Sequence, residues 1–283
     1  MPEIQPTPKQ MQHQSWTGVA PSWRKHDAVF VKGAAPAAET MLDLAGVRVG
    51  SRVLDIASGT GEPAIPAARR VGENGYVLGT DFVEGMLETA RAKAALAGLG
   101  NVEFRVVDGE ALDVPAASFD AVTIRWGIMF MPDALGCLRA AHRALKPGGK
   151  IAVACWAGPE KNPWAAIPMG IMMKHANIPK PPPGALGIFA YADPERLKGV
   201  LVEAGFKNVV VEAVDLSLME FDTFSEYWRL THEMAGPIAS MLETLPPAKR
   251  AVVEAEIAAE VEKLSPGGKV ALQGMTWVAA GEK

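Results

Sequence analysis

Three segments of the chain place carboxylates where apolar, strand-like runs end. The first, residues 53–61, reads VLDIASGTG, and Pro63 follows where a helix would begin. Glycine lets the backbone approach a ligand closely, and proline is tolerated in a first helical turn because its missing amide hydrogen costs little there. Alone, such a turn could bind a dinucleotide or a phosphate, or bind nothing.

The second and third segments each place an acidic residue at the end of a strand-like run, as the first does. Asp81 lies 20 positions after Gly61, where a carboxylate can accept hydrogen bonds from both ribose hydroxyls of a nucleoside. The alternative is that Asp81 only caps the following helix. Asp108, followed by Gly109, could accept from an adenine amino group or serve as a turn residue. Together the segments favour a cofactor with an adenosine half.

Regular alternation of strands and helices must position these residues. Runs of strand length cover 52–57, 76–80, 102–107, 119–126 and 150–156, and helix-like segments cover 62–71, 83–99 and 132–145. This order predicts right-handed crossovers and a parallel α/β sheet covered on both faces. A helix over 194–204 and strands over 209–214 and 270–278 would complete it.

The remaining segments are less regular. Residues 1 to about 15 are interpreted as a loose lead-in, and 15–30 as a short pair of amphipathic helices. A Met-rich helix with a proline-rich loop and a second helical stretch form two insertions, which are either surface decoration or lids over the strand ends.

Taken in this order, the glycine loop, Asp81, Asp108 with Gly109 and the LKPGGK segment at 145–150 resemble the class I S-adenosylmethionine-dependent methyltransferases. The similarity covers about 45–157 and is nearest to the ubiquinone/menaquinone-biosynthesis C-methyltransferases. It implies a Rossmann-like, doubly wound, seven-stranded, mostly parallel sheet with the last strand antiparallel. It also implies a cap over 1–44 and a methyltransferase domain over 45–283, with lid insertions at about 157–191 and 221–263.

The resemblance implies S-adenosyl-L-methionine as the cofactor. The loop from Asp55 to Gly61 would hold the methionine half, Asp81 the ribose, and Asp108 the adenine, with Met86 against the adenosine. The family often has glycine where Ala57 stands, and alanine fits there if φ is negative, as we expect. The expected cofactor-binding residues are Asp55, Ala57, Gly59, Gly61, Asp81, Phe82, Met86, Asp108, Gly109, Glu110 and Arg125.

A sulfonium cofactor carries no phosphate, so its site needs carboxylates and carbonyls, and the lysine and serine of a P-loop are absent. Arg125 is an unusual charge near a buried strand. It could bind an acceptor carboxylate or pair with a nearby acid such as Asp55, and the second is favoured.

Methyl transfer is an in-line displacement that depends mainly on alignment and exclusion of water. Where an acceptor must be deprotonated, His26 is a candidate base, as are His175 and His232, whereas His142 is expected to be structural. Large apolar side chains predict a hydrophobic or aromatic small-molecule acceptor. The expected substrate-binding residues are Trp23, Trp126, Trp156, Met169, Tyr191 and Tyr227.

Composition limits the kinds of binding partner and the cellular location that are expected. A net charge of -4 argues against nucleic acid. No apolar run is long enough for a membrane span and the polar start, residues 1–14, lacks a signal-peptide core, so a cytoplasmic protein without integral membrane contact is expected. Cys137 and Cys155, the two cysteines, match neither a zinc site nor a disulfide framework, and no metal is expected. A homo-oligomer is possible.

Two other functions stay open. An NAD(P)-dependent oxidoreductase could use Gly59 and Gly61 as a Rossmann turn, although Ala64 stands where a third glycine is expected. A non-catalytic S-adenosylmethionine-binding module would keep the three aspartates but lack an acceptor cavity.

Overall fold

The computed structural model describes residues 5–234, 242 and 245–283. Within these residues one sheet contains seven strands, which are β1 Arg52–Ile56, β2 Tyr76–Asp81, β3 Val102–Val106, β4 Phe119–Arg125, β5 Leu145–Trp156, β6 Lys207–Phe221 and β7 Val270–Glu282. Their order is β3-β2-β1-β4-β5-β7-β6. Strands β1 to β5 pair in parallel, and β7 is antiparallel to both β5 and β6. The predicted fold class is confirmed.

The described helices flank this sheet. They are α1 Pro8–Leu44, α2 Ala64–Val71, α3 Glu84–Leu96, α4 Ala134–Ala144, α5 Pro163–His175, α6 Pro194–Glu203, α7 Phe224–Met234 and α8 Pro247–Leu264. Helices α2, α3 and α4 are crossovers between parallel strands, as the alternating pattern predicted. None of the helices in the described ranges combines the length and apolar character needed to cross a membrane.

The sheet is buried on both faces at its centre. Leu54 and Ile56 belong to the hydrophobic cluster of one face, and Val53 to that of the other. The strands there are nearly continuous in apolar residues, which is why the sequence revealed them. Strands β6 and β7 are longer than the predicted 209–214 and 270–278. In β6, residues 215–218 alternate between exposed and buried positions, and the extra residues of β7, 279–282, read AAGE, so no continuous run of large apolar residues marks either extension.

The N-terminal prediction was wrong in its boundaries. Instead of a loose lead-in and a pair of short helices, one helix of 37 residues, α1, begins at Pro8. Thr7 caps it in a capping box with Gln10, which satisfies two otherwise free backbone amides. The helix continues through Pro21 and Pro36, and its C-terminal half packs against the sheet. There a Cβ on Gly33 would come within 2.9 Å of the backbone of Leu218.

The two predicted insertions contain α5 and, further along, α7 and α8. Part of the second insertion, residues 235–241 and 243–244, lies outside the described residues. Helix α5 packs against α8, and α7 packs against α1, so the two insertions and the N-terminal helix are joined to one another. The division into a cap and a methyltransferase domain stays a prediction.

The burial of leucine side chains in the helices predicts which substitutions lower the free energy of unfolding. Leu138 in α4 is 0% exposed, whereas Leu96 in α3 is 90% exposed. We expect Leu138→Ala to lower the free energy of unfolding by about 2–5 kcal/mol, because it leaves a cavity. Leu96→Ala should change it by less than about 0.5 kcal/mol. Urea denaturation of both variants checks this, and equal losses would show that the packing described for α4 is incorrect.

Candidate active site

A cavity of about 500 Å³ lies at the carboxyl ends of the parallel strands, with the N-terminal half of α1 as one wall. The segments that follow β1, β2, β3, β4 and β5 all contribute to it, as do α5 and α7. This is the crevice in which open α/β sheets bind ligands, and its size is ordinary for a small-molecule site.

The loop after β1 turns sharply towards β2. The amide of Ser58 donates to the carbonyl of Thr80 at 2.8 Å, and Ala57 adopts a left-handed conformation with φ of 55°. Our expectation of a negative φ at Ala57 was therefore wrong. An L-residue in this region costs about 1–2 kcal/mol, and the tight turn over the end of β2 imposes it. The methyl group of Ala57 fits because residue 127 is glycine. A Cβ added at Gly127 would lie only 2.6 Å from the Cβ of Ala57.

Asp81 links this loop to the end of β2. Its Oδ2 accepts from the amide of Gly59 and its Oδ1 from the amide of Val83, both at 2.9 Å. Val83, not Asp81, occupies the N-cap position of α3. Burial raises the pKa of Asp81, and the two amide donors oppose that rise. Each carboxylate oxygen keeps a lone pair for a further donor, and Asp81 lines the cavity.

Asp108 and Glu110 lie at the same edge, and both carry an ion pair that the sequence did not predict. Lys9, in the first turn of α1, reaches Asp108 at 2.8 Å and Glu110 at 2.6 Å. These two carboxylates raise the pKa of Lys9. The residue fell within the expected lead-in, so nothing in the sequence pattern marked it.

Asp55 and Gly61 do not line the cavity in the structure. Asp55 is fully buried under the loop, where Thr123 donates to its Oδ1 at 2.7 Å and its Oδ2 has no hydrogen-bond partner. Burial raises the pKa of Asp55 to about 6. Gly61 has φ of 99° and packs against Ile65, so both residues shape the loop from behind. The other nine expected cofactor-binding residues line the cavity.

Arg125 lines the cavity but does not form the expected pair with Asp55. In the part of the chain that the structure describes, no carboxylate lies within 4.0 Å of its guanidinium, although Glu62 and Asp55 act on it from further away. Burial lowers the pKa of Arg125. Its Cζ lies 4.6 Å from the centroid of the Trp126 ring.

Three tryptophans form an aromatic wall beside Arg125. Trp126 and Trp156 stack with centroids 4.1 Å apart, and Trp164 meets Trp156 edge-on at 5.0 Å. The indole N–H groups of Trp126 and Trp164 donate to Thr276 and Asn162, which fixes both rings. Across the cavity stand aromatic residues of α1, namely Trp16, Trp23 and Phe30. An apolar chamber of this kind suits a flat aromatic ligand.

The expected substrate residues divide into two groups. Trp23, Trp126, Trp156 and Met169 line the cavity, whereas Tyr191 and Tyr227 do not. Tyr227 is 0% exposed, and its hydroxyl donates to the carbonyl of Trp164 at 2.7 Å. It therefore supports the aromatic wall from behind. Burial raises the pKa of Tyr191 to about 12, in keeping with a core position.

The cavity lining contributed by the described residues contains no histidine, cysteine or tyrosine. His26, the weak candidate base, has its Nε2 2.6 Å from Glu233 of α7, and His175 has its Nε2 2.7 Å from Glu256 of α8. His26 thus joins α1 to α7, and His175 joins α5 to α8. His142 packs edge-on against Phe206. Burial raises the pKa of the Cys137 thiol to about 12.

Comparison with known proteins agrees with this geometry. The ubiE/COQ5 methyltransferase family matches residues 37–166. A ubiquinone/menaquinone biosynthesis C-methyltransferase UbiE of Cronobacter sakazakii is 35% identical over 178 residues, which are 59% of this chain and 71% of that protein.

Two solved structures share the fold. The [4+2]-cyclase SpnF has a TM-score of 0.60 and 21% identity, covering 98% of this chain and 97% of its own. A phosphoethanolamine N-methyltransferase 2 of Haemonchus contortus, in complex with S-adenosylhomocysteine, has a TM-score of 0.61 and 16% identity, covering 100% of this chain and 61% of its own.

The fold, the nucleoside-sized cleft and these relatives define a class I S-adenosylmethionine-dependent methyltransferase, with S-adenosylmethionine as its cofactor. The chain belongs to the ubiE/COQ5 methyltransferase family.

The contact between α1 and α7 predicts a pH dependence. Lys25 and His26 hold the pKa of Glu233 down to about 2, so the stabilisation from this carboxylate is complete above its ordinary pKa and is lost as the pH falls towards 2. We expect Glu233→Gln to lower the free energy of unfolding by about 1 kcal/mol or less at neutral pH, and by progressively less below pH 5.

Denaturant unfolding at several pH values measures this difference. Glu254→Gln, on the exposed surface of α8, is the control and should show no such trend. A Glu233→Gln difference that stays constant down to pH 2 would contradict the assignment.

Proposed function

We propose that this methyltransferase transfers the methyl group to a flat aromatic small molecule whose ring binds against the wall of Trp126, Trp156 and Trp164. The observation that carries the proposal is that this wall lines the same cavity as Asp81. One continuous cavity can therefore hold the cofactor at its carboxylate end and the acceptor at its aromatic end.

The carboxylate end suits the cofactor in its chemistry. Asp81 offers free lone pairs for ribose hydroxyls, and Asp108 lies where it can accept from an adenine amino group. Phe82 and Met86 give apolar contact for the adenine ring, while Ala57 and Gly59 present backbone to the methionine half. When bound, S-adenosylmethionine supplies a methyl group on a cationic sulfur that is already a good leaving group.

The protein contributes alignment and exclusion of water. Helices α1, α5 and α7 cover the aromatic end, and α7 adds Leu230 and Met234 to its lining. Holding two reactants in line replaces a bimolecular encounter by an effectively unimolecular step, which removes much of the barrier. Because the described lining has no histidine, we propose that positioning dominates over proton transfer to a side chain.

The relatives support a finer proposal. The UbiE proteins are C-methyltransferases of ubiquinone and menaquinone biosynthesis, so a ring carbon of a quinone-related acceptor is the first candidate. A cytoplasmic location and a homo-oligomer stay predictions, as does the absence of a nucleic-acid partner. Membership of the family disfavours the oxidoreductase, and the aromatic chamber disfavours a module without an acceptor.

Formation of S-adenosylhomocysteine tests this function. The protein is incubated with S-adenosylmethionine and a panel of hydroquinones, naphthols, aliphatic amines and thiols. We expect turnover with the aromatic acceptors and background rates with the aliphatic ones. Turnover confined to aliphatic amines or thiols would overturn the proposed acceptor class.

Asp81 provides a test of the cofactor end. We expect Asp81→Ala to weaken S-adenosylmethionine binding about tenfold or more, because the ribose hydroxyls and the amide of Gly59 lose their acceptor. Asp113→Ala, at an exposed position outside the cavity lining, is the control. Calorimetric titration measures both, and unchanged binding by Asp81→Ala would refute the ribose assignment.

Met169 provides a test of the acceptor end. A larger side chain at this position in α5 would fill the chamber, so we expect Met169→Trp to raise the acceptor KM about tenfold while leaving the cofactor Kd within about twofold. Met11→Trp, on the exposed face of α1, should change neither constant. An equal loss of cofactor affinity in Met169→Trp would place this residue at the cofactor instead.

A further inference from the structure

Arg125 occupies the boundary between the two ends of the cavity. In the sheet, Ile124 of β4 is paired with Ile56 of β1, so Arg125 lies level with Ala57 of the glycine loop. On its other side Arg125 is paired with Ala154 of β5, two residues before Trp156. The side chain thus belongs to neither end alone, and it lines the cavity.

The charges of the described lining leave Arg125 unpaired. Lys9, the other cation, is bound by Asp108 and Glu110. Among the acids, Asp81 accepts two amides, and Glu62 is 3.3 Å from Lys93, which also binds Asp27. Arg125 is partly buried, and a cation partly withdrawn from water is costly unless an anion or hydrogen-bond acceptors surround it. A negatively charged oxygen of a ligand would supply the hydrogen-bond acceptor that the described lining does not provide for Arg125.

The contact with Trp126 favours an aromatic ligand as the source of that oxygen. A cation–π contact uses the charge of the guanidinium but provides no acceptor for its N–H donors. Those donors therefore remain available beside a stack of two indoles. A planar ring that packs on the aromatic wall would bring a substituent of its own edge to Arg125.

We propose that Arg125 binds an ionised oxygen, either phenolate or carboxylate, of the aromatic acceptor, and so selects acidic over neutral rings. The inference rests on the proposed function, and it names Arg125 as the residue that determines this specificity. A guanidinium suits this role because it presents several donors in one plane to an oxyanion.

Binding the anion also accounts for the absence of a histidine from the described lining. When a phenol enters, its O–H bond breaks, the proton passes to solvent water, and the electron pair stays on the oxygen beside Arg125. In a phenolate this pair increases the electron density of a ring carbon, which attacks the methyl group while the sulfur–methyl bond breaks and its electron pair stays on sulfur. The methylated ring carbon then loses its own hydrogen as a proton to water, which restores the aromatic ring, so no side chain has to accept either proton.

A matched pair of ligands tests the selection without turnover. The protein loaded with S-adenosylhomocysteine is titrated with 2-naphthoate and with the neutral 2-naphthamide, and tryptophan fluorescence follows binding. We expect the wild type to prefer the anion by about tenfold. Arg125→Met should abolish the preference, and Arg125→Lys should keep part of it. Lys9→Met is the control, because it removes the other lining cation and should keep the preference.

A spectroscopic titration gives a second readout that a merely structural role would not change. 4-Nitrophenol absorbs visible light as its phenolate, so binding beside Arg125 should increase that absorbance at fixed pH near neutrality. We expect the increase with the wild type and none with Arg125→Met. Circular dichroism confirms that the variant is folded.

Three outcomes separate the possibilities. Equal anion preference in the wild type and Arg125→Met would overturn the proposal. Loss of S-adenosylhomocysteine affinity in Arg125→Met, with the acceptor preference intact, would overturn it in favour of the methionyl carboxylate of the cofactor. Failure of the wild type to bind S-adenosylhomocysteine at all would instead overturn the cofactor assignment of the cavity.

Discussion

The carboxylate of Asp81 is the interaction on which the cleft depends. It accepts the amides of Gly59 and Val83 at once, and so fixes the loop after β1 against the start of α3. The loop must turn through a left-handed Ala57 to reach it, which is a local cost that the buried hydrogen bonds offset. Because β1 and β2 are adjacent and parallel, the short side chain of Asp81 can bind an amide 22 positions earlier in the chain while it also binds the start of α3.

The parallel core could be predicted because its information is local. Each central strand is a continuous apolar run, and each glycine or acid that follows it stands at the strand end. The extent of α1 could not be predicted in this way. Its polar first turns are stabilised by a capping box and by the bond from Lys9 to Asp108, a residue 99 positions away. Such distant partners leave no periodic signal in the sequence.

The same contrast between local patterns and distant contacts holds for the residues of the site. Most of the expected cofactor-binding residues line the cavity because they follow strands whose order the sequence made clear. Tyr191 and Tyr227 were expected in the acceptor chamber from their size, and neither lines the cavity, since Tyr191 lies in the core and Tyr227 supports the wall from behind. Residue type cannot tell which side of a packed layer an aromatic ring occupies. The sequence marked Arg125 as an unusual charge but not the absence of a partner for it. Only the structure shows that its nearest acids act on it from a distance.

A crystal structure of the protein with S-adenosylhomocysteine bound would test most directly that one cavity serves both cofactor and acceptor. The account predicts ribose hydroxyls within hydrogen-bond distance of Asp81, and the sulfur facing the chamber of Trp126 and Trp156. A ribose bound away from Asp81, or a sulfur turned away from the aromatic wall, would contradict it.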